Sequence, residues 1–400
     1  MHLTREEERI LRGEEGWARA KALEVIVRVG EALGAERLVE IKHAHVSGVS
    51  YENIGEEGLK FIEDLAESGA RFKVPASVNP VSFDVDEGGL PGLWQASRVE
   101  AEKQARILKA LSSMGARLTL TCTPYYETAL RDLALRVGDS VAWGESSAVA
   151  YANSVLGLRT NREGGPIALL AGIAGRTYYY GMHVEEERRS RVAYEIDWVV
   201  EDEAEAGVLG SIIAERHEDS RPPMLRGRVS GEGALRELLA SLGVAGDIPM
   251  IYLPGVSPEP EPQALERVER VSRREVEEKL EELSPPDSVD VVYLGCPHLS
   301  LGELDRLARE LEERGGARAR VILTASPETY NLARARGLID KLERYGARIA
   351  RGTCLVVSPF WKLGLSVATN SFKAYFYLKR RGVRAYLART RDLLSLVVSK

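Results

Sequence analysis

Cysteine is scarce in this chain, with three in 400 residues. Cys122, Cys296 and Cys354 are widely spaced and odd in number, which excludes a complete disulfide framework and leaves reduced thiols or metal ligands. No C-x-x-C pair is present, so the usual spacing of a structural zinc site is missing. No Gly-Lys-Ser/Thr follows a glycine run, which excludes a P-loop. Basic residues are not in excess: the net charge of -6 argues against a nucleic-acid partner. Long apolar runs are also absent. The longest, Ile167 to Ala174, is far below the roughly 20 residues a membrane helix needs. The opening Met-His-Leu-Thr-Arg-Glu-Glu-Glu lacks the apolar core of a signal peptide. These absences point to a cytoplasmic protein with neither a membrane nor a nucleic acid as partner.

What is present is ordinary for a soluble globular protein, with 44% hydrophobic and 28% charged residues. Arg and Glu dominate the charges, a balance compatible with a thermophilic source. The length suggests two or three α/β units. We expect an N-terminal α/β unit over 1–180 holding the first cysteine, a middle α/β insert with a charged helix over 181–288, and a doubly wound unit over 289–400 holding the other two. Helix, glycine stop and strand recur at Gly115-Ala-Arg, Gly316-Ala-Arg and Gly346-Ala-Arg, the grammar of alternating α/β units. Single helices are expected from Thr4 to Leu33 and from Ser326 to Tyr345, and a strand from Ala116 to Thr121. From Tyr178 to Glu205 the sequence is charged and weakly patterned, with the run Glu185 to Arg189 reading as a solvated face, and Asp219 to Pro223 reads as a boundary.

Val289 to Leu294 is apolar and β-branched enough for a buried strand, and Ser300 with Glu303 has capping-box spacing. Cys296 therefore lies on a strand-to-helix turn, at the carboxyl end of a strand, where open α/β sheets bind ligands. Cys122 and Cys354 also follow expected strands. Tetrahedral zinc would need a fourth ligand, for which His298 is the nearest candidate. An iron-sulfur cluster on three thiolates would instead keep one iron open for Lewis-acid chemistry. Spacing does not choose between them.

Other polar phrases carry candidate contacts. His43 and His45 would share a face of a strand, a geometry able to ligate a metal. Asn79 stands in a proline-rich loop after Phe72. Glu145, Ser146 and Ser147 open a small-residue helix, and Arg162 belongs to a loop of guanidinium groups and glycine amides suited to an anion.

The phrases His45-Val-Ser-Gly48, Val74-Pro75 through Asn79, Leu118-Thr-Leu-Thr-Cys122-Thr-Pro124-Tyr125, Gly144-Glu145-Ser146-Ser147-Ala148, Asn161-Arg162-Glu-Gly164-Gly165, Gly295-Cys296-Pro-His298 and Thr369-Asn370-Ser371-Phe372-Lys373 together resemble the large subunit of the aconitase X family. They run in order over nearly the whole chain. The resemblance implies an aconitase-like fold, with several α/β units around a central cluster site, although the C-x-x-C of aconitase is missing. It implies a 4Fe-4S cluster with one open iron held by Cys122, Cys296 and Cys354. The implied reaction is dehydration of (R)-5-phosphomevalonate to trans-anhydromevalonate 5-phosphate, within a modified mevalonate route to isoprenoids. Dehydration of cis-3-hydroxy-L-proline is the alternative in the same family, and a zinc-stabilised, non-catalytic α/β binding protein is the alternative outside it.

The same resemblance implies catalytic roles for His45, Glu145, Ser146 and His298. Substrate contacts fall to Ser47, Gly48, Asn79, Ser147, Arg162, Lys362, Ser371 and Lys373. Such enzymes take their base from a serine on a swivelling domain. Since the chain stops at Lys400, soon after its last expected strand, that domain is expected on a separate small subunit.

Overall fold

Thr4 accepts from the Glu7 amide while Glu7 reaches back to the Thr4 amide, and this capping box starts the helix Arg5–Leu11. The expected single helix is two: Gly13 and Gly16 hold left-handed backbone, and the chain restarts at Trp17–Ala32. The computed structural model describes residues 1–398. The expected end of the C-terminal unit at Lys400 lies outside them.

The first 180 residues build a small parallel sheet with Ala44–Val46 between Ala76–Val78 and Ala142–Trp143. Register places His45 opposite both Ser77 and Trp143. Helices Trp17–Ala32, Tyr51–Glu67, Arg98–Ser113 and Gly165–Ala174 cover it, burying Leu23, Ile26, Ile107, Leu111 and Ile173 in one core. The segment expected as a strand ahead of Cys122 is not one. Its amides do bond beside Ala76–Val78, Arg117 to Ala76 and Thr121 to Val78, but Leu120 is left-handed (φ 47°) and breaks the ladder.

A second parallel sheet has Val192–Val200 at its centre, between Arg267–Arg270 and Met224–Val229. The weakly patterned stretch 178–205 thus holds a central strand: Tyr194 is fully buried, and the helix Glu203–Arg216 follows at once, while in the run expected as a solvated face Glu185, Glu186 and Arg189 are exposed and Arg188 is buried. Asp219 to Pro223 is the connection into Met224–Val229, inside this sheet's own fold rather than between units. Helices Glu203–Arg216 and Glu232–Ala245 pack together through Leu209, Ile213, Leu238 and Leu239.

The last sheet has five parallel strands in the order Ala347–Arg351, Arg320–Ala325, Val291–Leu294, Val367–Thr369, Ala385–Leu387. The chain winds outward from Val291–Leu294 in one direction and then the other, as expected of a doubly wound unit. The switch point falls between Val291–Leu294 and Val367–Thr369, the default ligand crevice of such sheets. Helix starts follow the sequence signals: Ser300 caps Leu301–Glu313 in a full capping box, and Ser326 caps Pro327–Ala335. The helix expected to reach Tyr345 breaks at left-handed Gly337 and resumes as Leu338–Arg344. After the last strand comes the helix Thr390–Val398, which buries Leu393, Leu394 and Val397. Among the described residues no helix is long and apolar enough to cross a membrane.

Candidate functional site

Gly295, directly after the Val291–Leu294 strand, is a position only glycine fills. Its φ is 129°, and a Cβ there would stand 2.4 Å from Thr324 Oγ1 and 2.6 Å from the Thr324 carbonyl. The chain therefore turns tightly off the strand end and presents Cys296, whose bond to Pro297 is cis, and His298 to the switch point. Cys122 arrives from the left-handed Leu120 turn, and Cys354 follows the strand Ala347–Arg351. All three thiols are buried, at 7% exposure or less.

They share one electrostatic neighbourhood. Burial pushes Cys122 up to about 12, with Cys354 adding to the rise; burial and both other thiols push Cys296 well up. Backbone N–H groups oppose this. His298 donates to Cys122 Sγ at 3.2 Å; the Val357 N–H, which bonds the Cys354 carbonyl at 3.2 Å, and the Val356 N–H act to lower the Cys354 thiol.

His298 is fully engaged. Its Nε2 donates to the Thr353 carbonyl at 2.8 Å, so its Nδ1 is the acceptor for Thr121 Oγ1 at 3.3 Å. Burial lowers its pKa to about 4. Neutral and doubly bonded, it ties the three thiol-bearing loops together. That is a holding role; the sequence reading had placed His298 among the catalytic residues.

Glu145 is the N-cap of the helix Ser146–Ser154 and accepts from the Ala148 amide at 2.7 Å and from Ser147 Oγ at 2.6 Å. Lys373, in the first turn of the helix that Ser371 caps, closes an ion pair on its other oxygen. Burial alone would raise the carboxyl. The Lys373 ammonium and these hydrogen bonds outweigh it and hold Glu145 at about 2. Lys373 loses by burial but gains more from Glu145 and the neighbouring thiols, so its pKa rises. The buried pair is therefore ionised on both sides, and it stands beside Cys296 and Cys122.

His45 joins the same centre. Its Nε2 meets Asn79 Oδ1 at 2.8 Å and its Nδ1 meets Ser77 Oγ at 2.7 Å; burial lowers its pKa to about 4. His43 accepts from the Trp143 indole N–H at 3.0 Å. The two histidines do share a face, against Trp143, yet these bonds occupy three of their four ring nitrogens and metal ligation by the pair does not fit. Ser47 lies under two glycines: a Cβ on Gly144 would meet its Oγ at 2.5 Å, and one on Gly165 its carbonyl at 2.4 Å. Gly48, next to it, is exposed with φ 68°.

Two selected cations are engaged elsewhere. Arg162 bonds the Gly243 carbonyl at 2.9 Å and Asp247 at 2.5 Å, on the flank of Glu145. Lys362 is exposed, lies over the Trp361 ring and pairs with Glu52 at 2.9 Å; no contact links it to the thiols. Sequence reasoning missed Arg236 and Glu237, both buried on the Glu232–Ala245 helix. Burial pushes the Glu237 carboxyl well above the usual range, and its Oε2 has no partner. Nothing in the spacing of that helix marks its inward side as polar.

Models for the first, second and third domains of aconitase X match residues 1–186, 190–283 and 289–399. The chain belongs to the aconitase X family. It is 55% identical to the phosphomevalonate dehydratase large subunit of Aeropyrum pernix, over 99% of this chain and 100% of that one. A protein of the same name from Thermococcus kodakarensis is 37% identical over 98% and 99%. The cis-3-hydroxy-L-proline dehydratase of Pseudomonas aeruginosa is 32% identical over 92% of this chain but only 65% of its own length. Among solved structures, the holo-form aconitase X of Thermococcus kodakaraensis superposes with a TM-score of 0.90 at 36% identity, covering 98% of this chain and 99% of that one.

Behind the centre of this aconitase X chain, Glu163 is 1% exposed and accepts from Tyr178 Oη at 2.5 Å and Thr177 Oγ1 at 3.3 Å. Burial outweighs both bonds and raises its pKa from 4.5 to about 7. Between those two values the folded chain keeps a proton that the unfolded chain has lost, so stability falls as pH rises through this window. The loss amounts to about 3 kcal/mol. Glu163→Gln is expected to flatten that dependence, as read by urea unfolding at about pH 5 and about pH 8.

Proposed function

We propose that the chain is the large subunit of a phosphomevalonate dehydratase, a hydro-lyase that converts (R)-5-phosphomevalonate to trans-anhydromevalonate 5-phosphate in a mevalonate route to isoprenoids. The reading rests above all on the match to the Aeropyrum pernix protein, which runs over the full length of both chains, whereas the hydroxyproline enzyme is matched over only part of its length.

Cys122, Cys296 and Cys354 would hold a 4Fe-4S cluster, and the donor set fits one. Three buried thiols share one electrostatic neighbourhood, and a backbone N–H, that of His298, donates to the Cys122 sulfur, the kind of hydrogen bond that stabilises cluster thiolates. Among the described residues no three His, Cys, Asp or Glu side chains close on a point that would hold one metal ion. When bound, the cluster supplies an iron with an open position, a Lewis acid for the substrate's tertiary hydroxyl.

The chain's own residues bind and orient. Asn79 Oδ1 is held by His45, which leaves the amide N–H groups of Asn79 to donate to a substrate carboxylate or hydroxyl. Lys373 presents buried positive charge to the same anionic substrate, steadied by Glu145 and Ser147. Glu145, held near 2, is too weak a base to take the proton from carbon 2. Following the family resemblance, we assign that proton to a serine of a separate small subunit, in keeping with the words "large subunit" in the relatives' names.

The deciding assay uses the complex of both subunits, prepared anaerobically and given each substrate in turn. Turnover of phosphomevalonate, none of cis-3-hydroxy-L-proline, and no activity from the large chain alone are expected. Turnover of hydroxyproline instead would overturn the assignment.

A further inference from the structure

Arg236 stands on the second sheet's Glu232–Ala245 helix, yet the two terminal nitrogens of its guanidinium, 3% exposed, reach the thiol-bearing loops, while its Nε has no partner. Nη1 donates to the His298 carbonyl at 2.8 Å, two residues beyond Cys296. Nη2 pairs with the carboxylate of Glu303, the residue that completes the capping box of the helix following that turn. The guanidinium carbon lies 5.4 Å from the centre of the Tyr126 ring, four residues beyond Cys122, within cation–π range. Tyr126 in turn donates to Glu232 at 2.5 Å, one helical turn before Arg236.

The peptide units of His298 are thus held from both sides: its N–H donates to Cys122 Sγ, and its carbonyl accepts from Arg236. We propose that Arg236 is a positioning residue for the thiol set, a fork from the middle of the chain that fixes the Cys296 turn against the Cys122 loop and thereby sets the spacing of two ligands. The inference rests on the cluster reading above. A planar guanidinium suits the task because its N–H groups leave in fixed directions, toward a carbonyl and a carboxylate at once, while its flat face stays free for a ring. A lysine ammonium supplies the charge without the fork.

Two variants separate positioning from folding. Arg236→Met alone would strand the buried Glu303 carboxylate, so Arg236→Met is made together with Glu303→Gln, which removes both charges and keeps an acceptor for the Ser300 cap. Arg236→Lys keeps the charge. Each is purified anaerobically as the complex with the small subunit. Iron per chain, the visible circular dichroism of the bound iron and the rate of iron loss to a chelator are measured beside the thermal unfolding of the iron-free chain.

The double variant is expected to unfold near the wild-type temperature but to release iron on the order of tenfold faster, with an altered visible spectrum. Arg236→Lys is expected to fall between it and the wild type. Iron release and spectrum matching the wild type in the double variant would overturn the inference; should that variant fail to fold, wild-type behaviour of Arg236→Lys would do so. Absence of iron from the wild-type complex would strike instead at the cluster reading.

Discussion

Lys373→Met is expected to cost about 3–5 kcal/mol of stability, because it leaves the Glu145 carboxylate buried without its counter-charge. Turnover should fall on the order of 10²–10³, the loss typical of removing one preorganised cationic or hydrogen-bonding group from a site. The two effects can be parted. Glu145→Gln strands the ammonium instead, and the double variant, with neither charge, should recover most of the stability without recovering activity. Chemical unfolding of the two single variants and the double forms a cycle that measures the coupling directly. Additive losses would mean that the pair does not hold the site together. The pH dependence has a defined sign as well. Glu145 titrates near 2 folded and 4.5 ordinarily, so its contribution is complete above the ordinary value and is lost as pH falls toward 2. Once Lys373 is gone the sign reverses: burial raises the Glu145 carboxyl above its ordinary value, so the Lys373→Met variant should regain stability as pH falls through the carboxyl range.

Serine at any one of Cys122, Cys296 or Cys354 should remove the brown colour of the anaerobically purified complex, its iron and all measurable turnover. Serine is nearly isosteric, but its hydroxyl does not ionise at neutral pH and is a poor ligand for iron. The iron-free fold should tolerate each change with a loss of about 1–3 kcal/mol, the usual cost of burying a hydroxyl short of partners. Retention of iron by any one variant would remove that residue from the ligand set. Zinc in the wild type with no iron would defeat the dehydratase reading altogether.

Signals that act within one turn of chain were legible beforehand. Ser300 with Glu303, and Ser326 with Pro327, start helices where their spacing says, because a cap is settled by residues three apart. The parallel, doubly wound ending was legible from apolar strands alternating with charged helices. Val192–Val200 was not: it carries Glu195 and Asp197 and follows the run Glu185 to Arg189, so local charge hid a strand whose place is set by its two neighbours in the sheet. Left-handed Leu120 was equally invisible, since nothing in a leucine announces positive φ.

The site divides in the same way. The thiols and Glu145 could be picked out by residue type and by position at element ends. Lys373 was chosen as a phosphate contact, and only the fold shows that its first partner is Glu145, 228 residues away. Lys362, chosen on equal grounds, meets Glu52 at the surface. Two lysines eleven residues apart thus look alike in sequence and differ wholly in surroundings.

The bond from the His298 amide to the sulfur of Cys122 spans 176 residues. During synthesis an N-terminal unit can fold as it emerges, but Cys122 then waits for most of the remaining chain before it has company. On the cluster proposed above, the ligand set is complete only after Cys354 has docked, so loading would come late in the protein's own biogenesis.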